Sequence, residues 1–339
     1  MTRLSNITAY LVAGVAITCA ALPAARAAED GGGHWLEAVQ RLAAGAAGET
    51  GPAEATAQPA KPIPVTFSAE YTLVSDYIFR GINFSEYARE GREKPNHQLS
   101  VAFEIDTADL GLPIGTFGGS VWFEWFTGQE QLSPWTGSNV QEVDYVVYWK
   151  NGLGDTGFEF EFGWIAYHFP FIRKGGSPIA KDFAYTNEVY VTVSYDDSKL
   201  FGTEGPVLSP YVSYYHDVDD VQAGWLECGV SHDFALTDLG VKDTPILKDL
   251  TVSPSLVLTV DHRYYDRLGV GGNTAIGTRL GNLTYGLTVG YDLGGALGLP
   301  ARYGSLSLAG FLNYCQSFHD DNAAIQDEFY GGMTVGWEW

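Results

Sequence analysis

From residue 65 onward, apolar and polar side chains alternate along the chain. Phe67, Ala69, Tyr71, Leu73, Tyr77 and Phe79 alternate with Ser68, Glu70, Thr72, Asp76 and Arg80. Further on, Leu99, Val101, Phe103 and Ile105 alternate with Ser100, Ala102, Glu104 and Asp106. A period of two puts one set on each face of a β-strand. Similar ribbons recur near 117–127, 140–150, 157–168, 185–196, 206–217, 222–232, 250–264, 278–292, 303–318 and 327–339. The pattern predicts about twelve strands, and an even number is what a single-chain bacterial barrel requires. Over 65–339 each strand and connection takes about 23 residues, enough for a spanning strand of about 9–11 residues plus a loop.

The last ribbon is the sharpest. Met333, Val335, Trp337 and Trp339 occupy one face, while Gly332, Thr334, Gly336 and Glu338 occupy the other. A bare apolar edge invites aggregation, whereas a strand that closes a barrel leaves no edge. These four residues resemble the C-terminal insertion signal of bacterial outer-membrane proteins, which makes the barrel-assembly machinery and outer-membrane lipids the expected partners. A soluble β-sandwich is the structural rival, but it does not need apolar residues facing outward on every strand. A closed barrel also satisfies each backbone group internally, as a lipid environment demands.

The connections fall into two alternating classes. One is rich in small or helix-breaking residues, as at 111–113, 151–154, 202–206, 238–240 and 294–300. The other is more charged and aromatic, at 81–96, 128–139, 169–184, 217–221, 265–274 and 319–326. A chain entering from the periplasm places the first class there and the second outside the cell. The stretch 233–249 is long for a periplasmic turn.

Residues 1–64 follow other rules. Arg3, an apolar run from about Ala9 to Leu22, and Ala25-Arg26-Ala27 read as a secretory signal over 1–27. That run is too short to anchor in a bilayer as a helix. Residues 28–64 form a separate periplasmic segment. Trp35, Leu36, Val39, Leu42 and Ala43 recur at helical spacing, and an Ala/Gly/Pro/Glu-rich linker follows to Pro64. A solvated tail and a helix docked on the barrel are both compatible with this segment. The barrel proper is 65–339.

Charge narrows the function. Removing 1–27 takes away Arg3 and Arg26 but no acid, leaving 17 basic against 41 acidic residues and moving the net charge from −22 to −24. Nucleic acid, which selects a basic face, is excluded as a partner. If the apolar face meets lipid, the other face lines the lumen with Glu70, Asp76, Glu104, Glu124, Glu142, Asp144, Glu159, Glu161, Glu188 and Asp261. Asp106, Asp196, Glu227 and Glu338 fall on the same face, against the bases Arg80, Lys150, Arg263 and Arg279. Unpaired carboxylates in a dry lumen cost several kcal/mol each. The excess therefore implies water, counter-ions or shifted protonation. Barrels of about 8 strands are filled by side chains, while 16–18 leave a channel. Twelve strands suggest a narrow, cation-preferring passage for a small cationic or neutral solute. A plugged structural or surface-interaction barrel is the alternative. Cys228 falls on the apolar face and Cys315 on the polar face, which predicts free thiols.

The first ribbon carries the most specific string, Ser75-Asp76-Tyr77-Ile78-Phe79-Arg80-Gly81. It resembles the Gcw-type family of conserved hypothetical bacterial outer-membrane proteins, whose first strand reads S-D-Y-x-F-R-G. The resemblance is clear from Ala69 to about Ser85 and implies a barrel in the outer membrane. It transfers no catalytic residue. On a regular strand Asp76 and Arg80 share a face about 13 Å apart, so each needs a partner elsewhere, as in a lumenal charge ladder.

Enzymatic readings are weaker. His168, His216 and His262 fall near the outer ends of apolar faces, but none has a serine partner in the sequence pattern, so no catalytic role is expected. A lipid-modifying enzyme ranks third. No cofactor is expected, because no phosphate-binding glycine pattern or zinc-spaced cysteine pair occurs. The acid clusters at 216–220 and 319–321 lack the spacing of a calcium loop and read as solvated loop tips, with no metal site assigned.

Overall fold

The computed structural model of the chain describes residues 64–87, 95–126, 140–169, 185–268 (without 239, 242, 243 and 245), 277–319 and 325–339. The expected secretory signal and almost all of the segment 28–64 lie outside the described residues. Among the described residues fifteen strands run in chain order: β1 (Thr66–Val74), β2 (Ile78–Phe79), β3 (Ile82–Asn83), β4 (Asn96–Asp106), β5 (Thr116–Phe126), β6 (Val140–Gly152), β7 (Phe158–His168), β8 (Tyr185–Tyr195), β9 (Tyr211–Asp217), β10 (Gly224–Ser231), β11 (Phe234–Ala235), β12 (Leu250–His262), β13 (Thr278–Asp292), β14 (Ser305–Ser317) and β15 (Glu328–Glu338).

Twelve of these strands close an antiparallel up-and-down barrel, in which each pairs with its sequence neighbours and β1 pairs with both β4 and β15. The closing register runs from Ser68↔Glu338 to Val74↔Gly332. The two-residue β11 extends the ladder on β12 just past β10, which accounts for the long connection at 233–249. Closure removes the edges that an open sheet exposes.

The two faces differ as the alternation requires. Val101 is 45% exposed, Leu312 51% and Met333 58%, while their neighbours Ser100, Ala102, Asn313 and Thr334 are buried. An apolar exterior on a closed barrel suits lipid, since no backbone donor or acceptor is left for water to satisfy. Among the described residues no helix is long and apolar enough to cross a membrane.

Connections alternate between two ends. The near rim carries Pro64, Trp339 and the connections 107–115, 153–157, 196–210, 232–249 and 293–304. The far rim is marked by the opposite strand ends, such as Val74, Asn96, Phe126, Val140, His168 and Tyr185. Near-rim turns use left-handed glycines, such as Gly111 at φ 78° and Gly298 at φ 64°, where a Cβ would be strained.

The first strand departs from the expected pattern. It ends at Val74 and does not extend to Phe79, although the apolar alternation continues. Ser75 donates its amide to Gly331 and its hydroxyl oxygen accepts from the Gly331 amide, making the last rung. The chain then turns into the lumen, where Ile78–Phe79 pairs with Ile82–Asn83. Arg80 at φ 51° and Gly81 at φ 75° form the tip of this miniature hairpin. Two consecutive positive φ values are the mark of a type I′ turn, which explains the glycine at the second position. Ser85 accepts from the Tyr77 amide at 2.8 Å and fixes the returning chain.

Candidate functional site

The inward hairpin packs inside the far part of the lumen. Its Tyr77, Phe79 and Ile82 pack with Trp122, Tyr167, Tyr215 and Trp225 from the barrel wall. Tyr264, Tyr265 and Leu268, from a short helix after β12, join the same cluster together with Val221 and Ile325. Inside this apolar mass sits Arg80, 1% exposed. Its two terminal nitrogens donate to the two carboxylate oxygens of Glu188 at 2.6 and 2.8 Å. Tyr167 donates to the same carboxylate at 2.9 Å. The guanidinium lies 4.3 Å from the Tyr264 ring centre and 4.8 Å from that of Phe79. Bidentate pairing and flanking rings are the ways a buried guanidinium is made tolerable. Tyr265 donates its hydroxyl proton to the Arg80 carbonyl, which ties the hairpin tip to the helix.

The predicted lumenal acids divide by location. Glu124 and Glu142 face each other across β5 and β6, and Asp144 lies one step along the same face. All three are buried. Glu142 accepts from Tyr77 at 2.8 Å, so the plug touches this cluster, and Glu124 accepts from the Asn96 amide. Asp144 lies against the Glu142 carboxyl, and neither oxygen of Glu70 has a hydrogen-bond partner among the described residues. Glu104 accepts from Lys150 at 2.6 Å and from Tyr148. Glu161 accepts from Tyr190 at 2.7 Å. Asp261 accepts from Arg279 at 3.3 Å and from the backbone of Tyr264 and Tyr265, so it anchors the plugging helix.

Several placements differ from the sequence pattern. Asp76 and Arg80 do not share a strand face, because the strand ends before them. Asp76 is buried at the start of the inward loop, and Arg80 meets Glu188, 108 residues away in sequence. Arg263 is exposed and has a left-handed φ of 67°, so it is no lumenal base. Asp196 is exposed at the near rim. Asp217 is buried and is no solvated loop tip. One of its oxygens accepts from the amides of Asp219, Val221 and Gln222, so the carboxylate shapes the β9–β10 turn. Asp320 and Asp321 lie outside the described residues.

The near half of the lumen is different. A cavity of about 790 Å³ opens there, lined by β7, β8 and the connections 153–157, 196–210 and 232–249. Glu159 belongs to it, as do Asp196, Asp233 and Asp238. Sequence reasoning did not single out Asp233, Asp238, Ser209 or His232, because they lie in near-rim connections where no strand period exists. Burial lowers His232 to a pKa of about 3, so its ring is neutral in this cavity at ordinary pH. Among the described residues no three His, Cys, Asp or Glu side chains converge as a metal site. Cys228 and Cys315 are free thiols. His262 meets the Tyr214 hydroxyl at 2.8 Å on the outer wall.

The solved structures the chain resembles include a NanC porin, at 10% identity and a TM-score of 0.41, covering 80% of this chain and 98% of that one. An outer membrane channel from Pseudomonas putida F1 matches at 10% identity and a TM-score of 0.43, covering 86% of this chain and 100% of the other. The outer membrane phospholipase A of Escherichia coli matches at 13% identity and 0.35, covering 80% and 92%. At these levels the likenesses carry no functional argument. No curated protein matches the chain. The closed strand circuit and apolar exterior make this an outer-membrane β-barrel. Residues 56–244, which include the whole inward hairpin, match the bacterial proteins of unknown function called Gcw_chp, and the chain belongs to that family.

Proposed function

We propose that the barrel is a narrow passage for small cationic or neutral solutes, held closed in the described conformation by the inward hairpin. The observation that carries this reading is the division of the lumen. Its near half holds an acid-lined cavity open at the rim, and its far half holds the hairpin packed around the Arg80–Glu188 pair. Carboxylates in a low-dielectric enclosure concentrate cations and repel anions. A seal hinged on a two-residue turn and one ion pair is a discrete element that can shift.

The test is single-channel recording of the purified protein in planar bilayers under a KCl gradient. The expected result is rare, small openings with a reversal potential favouring K⁺. The preference should weaken from 0.1 M to 1 M salt, as the Debye length falls from about 10 Å to 3 Å. Joint replacement of Glu142, Asp144, Glu159 and Glu161 by their amides should weaken it as well. An anion-selective potential in the unmodified protein would end this reading.

A second reading, a structural barrel with a permanent plug, is favoured by the ring packing around Arg80. Absence of conductance in the unmodified protein and in Arg80 variants alike supports it. A catalytic role is not proposed, since the outer-wall His262 is engaged by a tyrosine and not by a serine.

A further inference from the structure

The near-rim cavity is built for a ligand of a definite kind. Its volume of about 790 Å³ lies in the range of small-molecule sites, about 300–1,000 Å³. Four carboxylates border it, and no lysine or arginine does. They come from four separate places: Glu159 from β7, Asp196 from the end of β8, Asp233 beside β11, and Asp238 beyond it. Ser209 adds a second, independent observation. Its residue borders the cavity and is 8% exposed, and its buried hydroxyl oxygen has no hydrogen-bond partner among the described residues. The backbone holds Ser209 at a φ of 41°, a left-handed position that a serine adopts only where its surroundings impose it. His232 presents a buried Nδ1 that is likewise without a partner, on a ring kept neutral by burial. A neutral ring does not repel a cation.

The arrangement also discriminates among cations. A compact divalent ion needs oxygens that converge at about 2.0–2.6 Å, and no such convergence exists among the described residues. Carboxylates spread around a large cavity suit a flexible chain that carries several separated ammonium groups. We propose that this cavity is a binding site for a small linear organic polycation of the polyamine class. Its ammonium groups pair with the separated carboxylates, and the Ser209 oxygen and His232 Nδ1 accept further N–H bonds. This inference rests on the reading of the lumen as an acidic solute compartment. It does not require that the lumen conduct.

The test uses the full chain, purified in detergent micelles, with spermidine as the probe and titration calorimetry as the readout. The expected result is one saturable site per barrel. Affinity should fall at least about tenfold in the Glu159→Gln/Asp233→Asn variant, because charge-assisted bonds are lost. If that variant fails to assemble, Asp196→Asn/Asp238→Asn alters the exposed acids and carries the same expectation. Asp109→Asn, an exposed acid on a different near-rim turn, should leave affinity unchanged. No saturable binding, equal affinity in the cavity variants, or loss of the spermidine heat in Mg²⁺ at equal charge concentration as complete as after pre-saturation with spermidine would each overturn the proposal. Binding without conductance would uphold the site and end the passage reading. Cation-selective conductance without spermidine binding would do the reverse.

Discussion

At the scale of single residues, Arg80 decides what the lumen can do. Removing one partner from a buried ion pair leaves the other charged and unpaired in an apolar core, at a cost of about 3–5 kcal/mol. Arg80→Met and Glu188→Gln should each destabilise the barrel by that order, measured by urea unfolding of the folded form in micelles. The Arg80→Met/Glu188→Leu double variant should cost less than either single change. A double variant as unstable as the sum of the two would show that the pair is not the unit of stability. His232 makes a second residue-scale prediction. Its folded pKa of about 3 lies below its unfolded value of about 6.5, so the unfolded chain binds the extra proton first. Stability should therefore fall as pH drops from about 6.5 toward 3 and lose nothing further below. Subtracting the pH profile of His232→Gln from that of the unmodified protein isolates this slope from the carboxylates. A difference profile that is flat between pH 6.5 and 3 would show that the ring is already protonated in the fold. Sequence alone showed that Arg80 was unusual but not why. Its partner is 108 residues away, and the positive φ of the Arg80–Gly81 turn breaks the alternation that made the segment look like strand.

At the scale of elements, the period of two was legible because lipid enforces it. Each barrel strand must show one apolar face, so the boundaries of β4 to β8 and of β12 to β15 fall within a few residues of the ribbons read from the chain. What the period cannot reveal is where a polar or apolar residue turns inward without a strand, as at Tyr77, Phe79 and Tyr264. Glycines in mid-strand mark close approaches that the period does not show. A Cβ at Gly163 would sit 2.2 Å from the Tyr190 ring, so the glycine is what lets that tyrosine lie across the sheet and reach Glu161. The face assignment is tested by paired changes on β4. Phe103, 41% exposed, faces lipid, and Phe103→Lys should cost about 2–4 kcal/mol if its site lies near the bilayer midplane. Glu104→Gln removes a partly solvated partner of Lys150 and should cost about 1 kcal/mol or less. Equal losses in folded fraction across a urea series would show that the two residues do not face different media.

At the scale of the whole molecule, the barrel is one circuit, and its seam is where the circuit is completed. Phe67 and Trp339 exchange backbone hydrogen bonds at 2.9 and 2.8 Å, and their rings stack at 6.5 Å. The Trp339 indole donates to the Arg302 carbonyl at 3.3 Å, and the Trp337 indole donates to the Tyr303 carbonyl at 2.9 Å. The two indoles thus fasten β15 to the β13–β14 connection on one side while the backbone fastens it to β1 on the other. Losing them frees the Tyr303 and Arg302 carbonyls and removes the rungs that Trp339 exchanges with Phe67. The cost is not confined to the seam, because an unclosed sheet leaves two full edges unsatisfied. Deleting Trp339 together with Trp337→Asp should therefore reduce assembly of the whole barrel instead of loosening one strand. The measurement is the fraction of heat-modifiable protein recovered in the outer membrane, compared with Phe329→Ala, an exposed aromatic at the other end of the same strand. Undiminished recovery after the double change would mean that closure is driven by the other strands and that the near-rim tryptophans only decorate it.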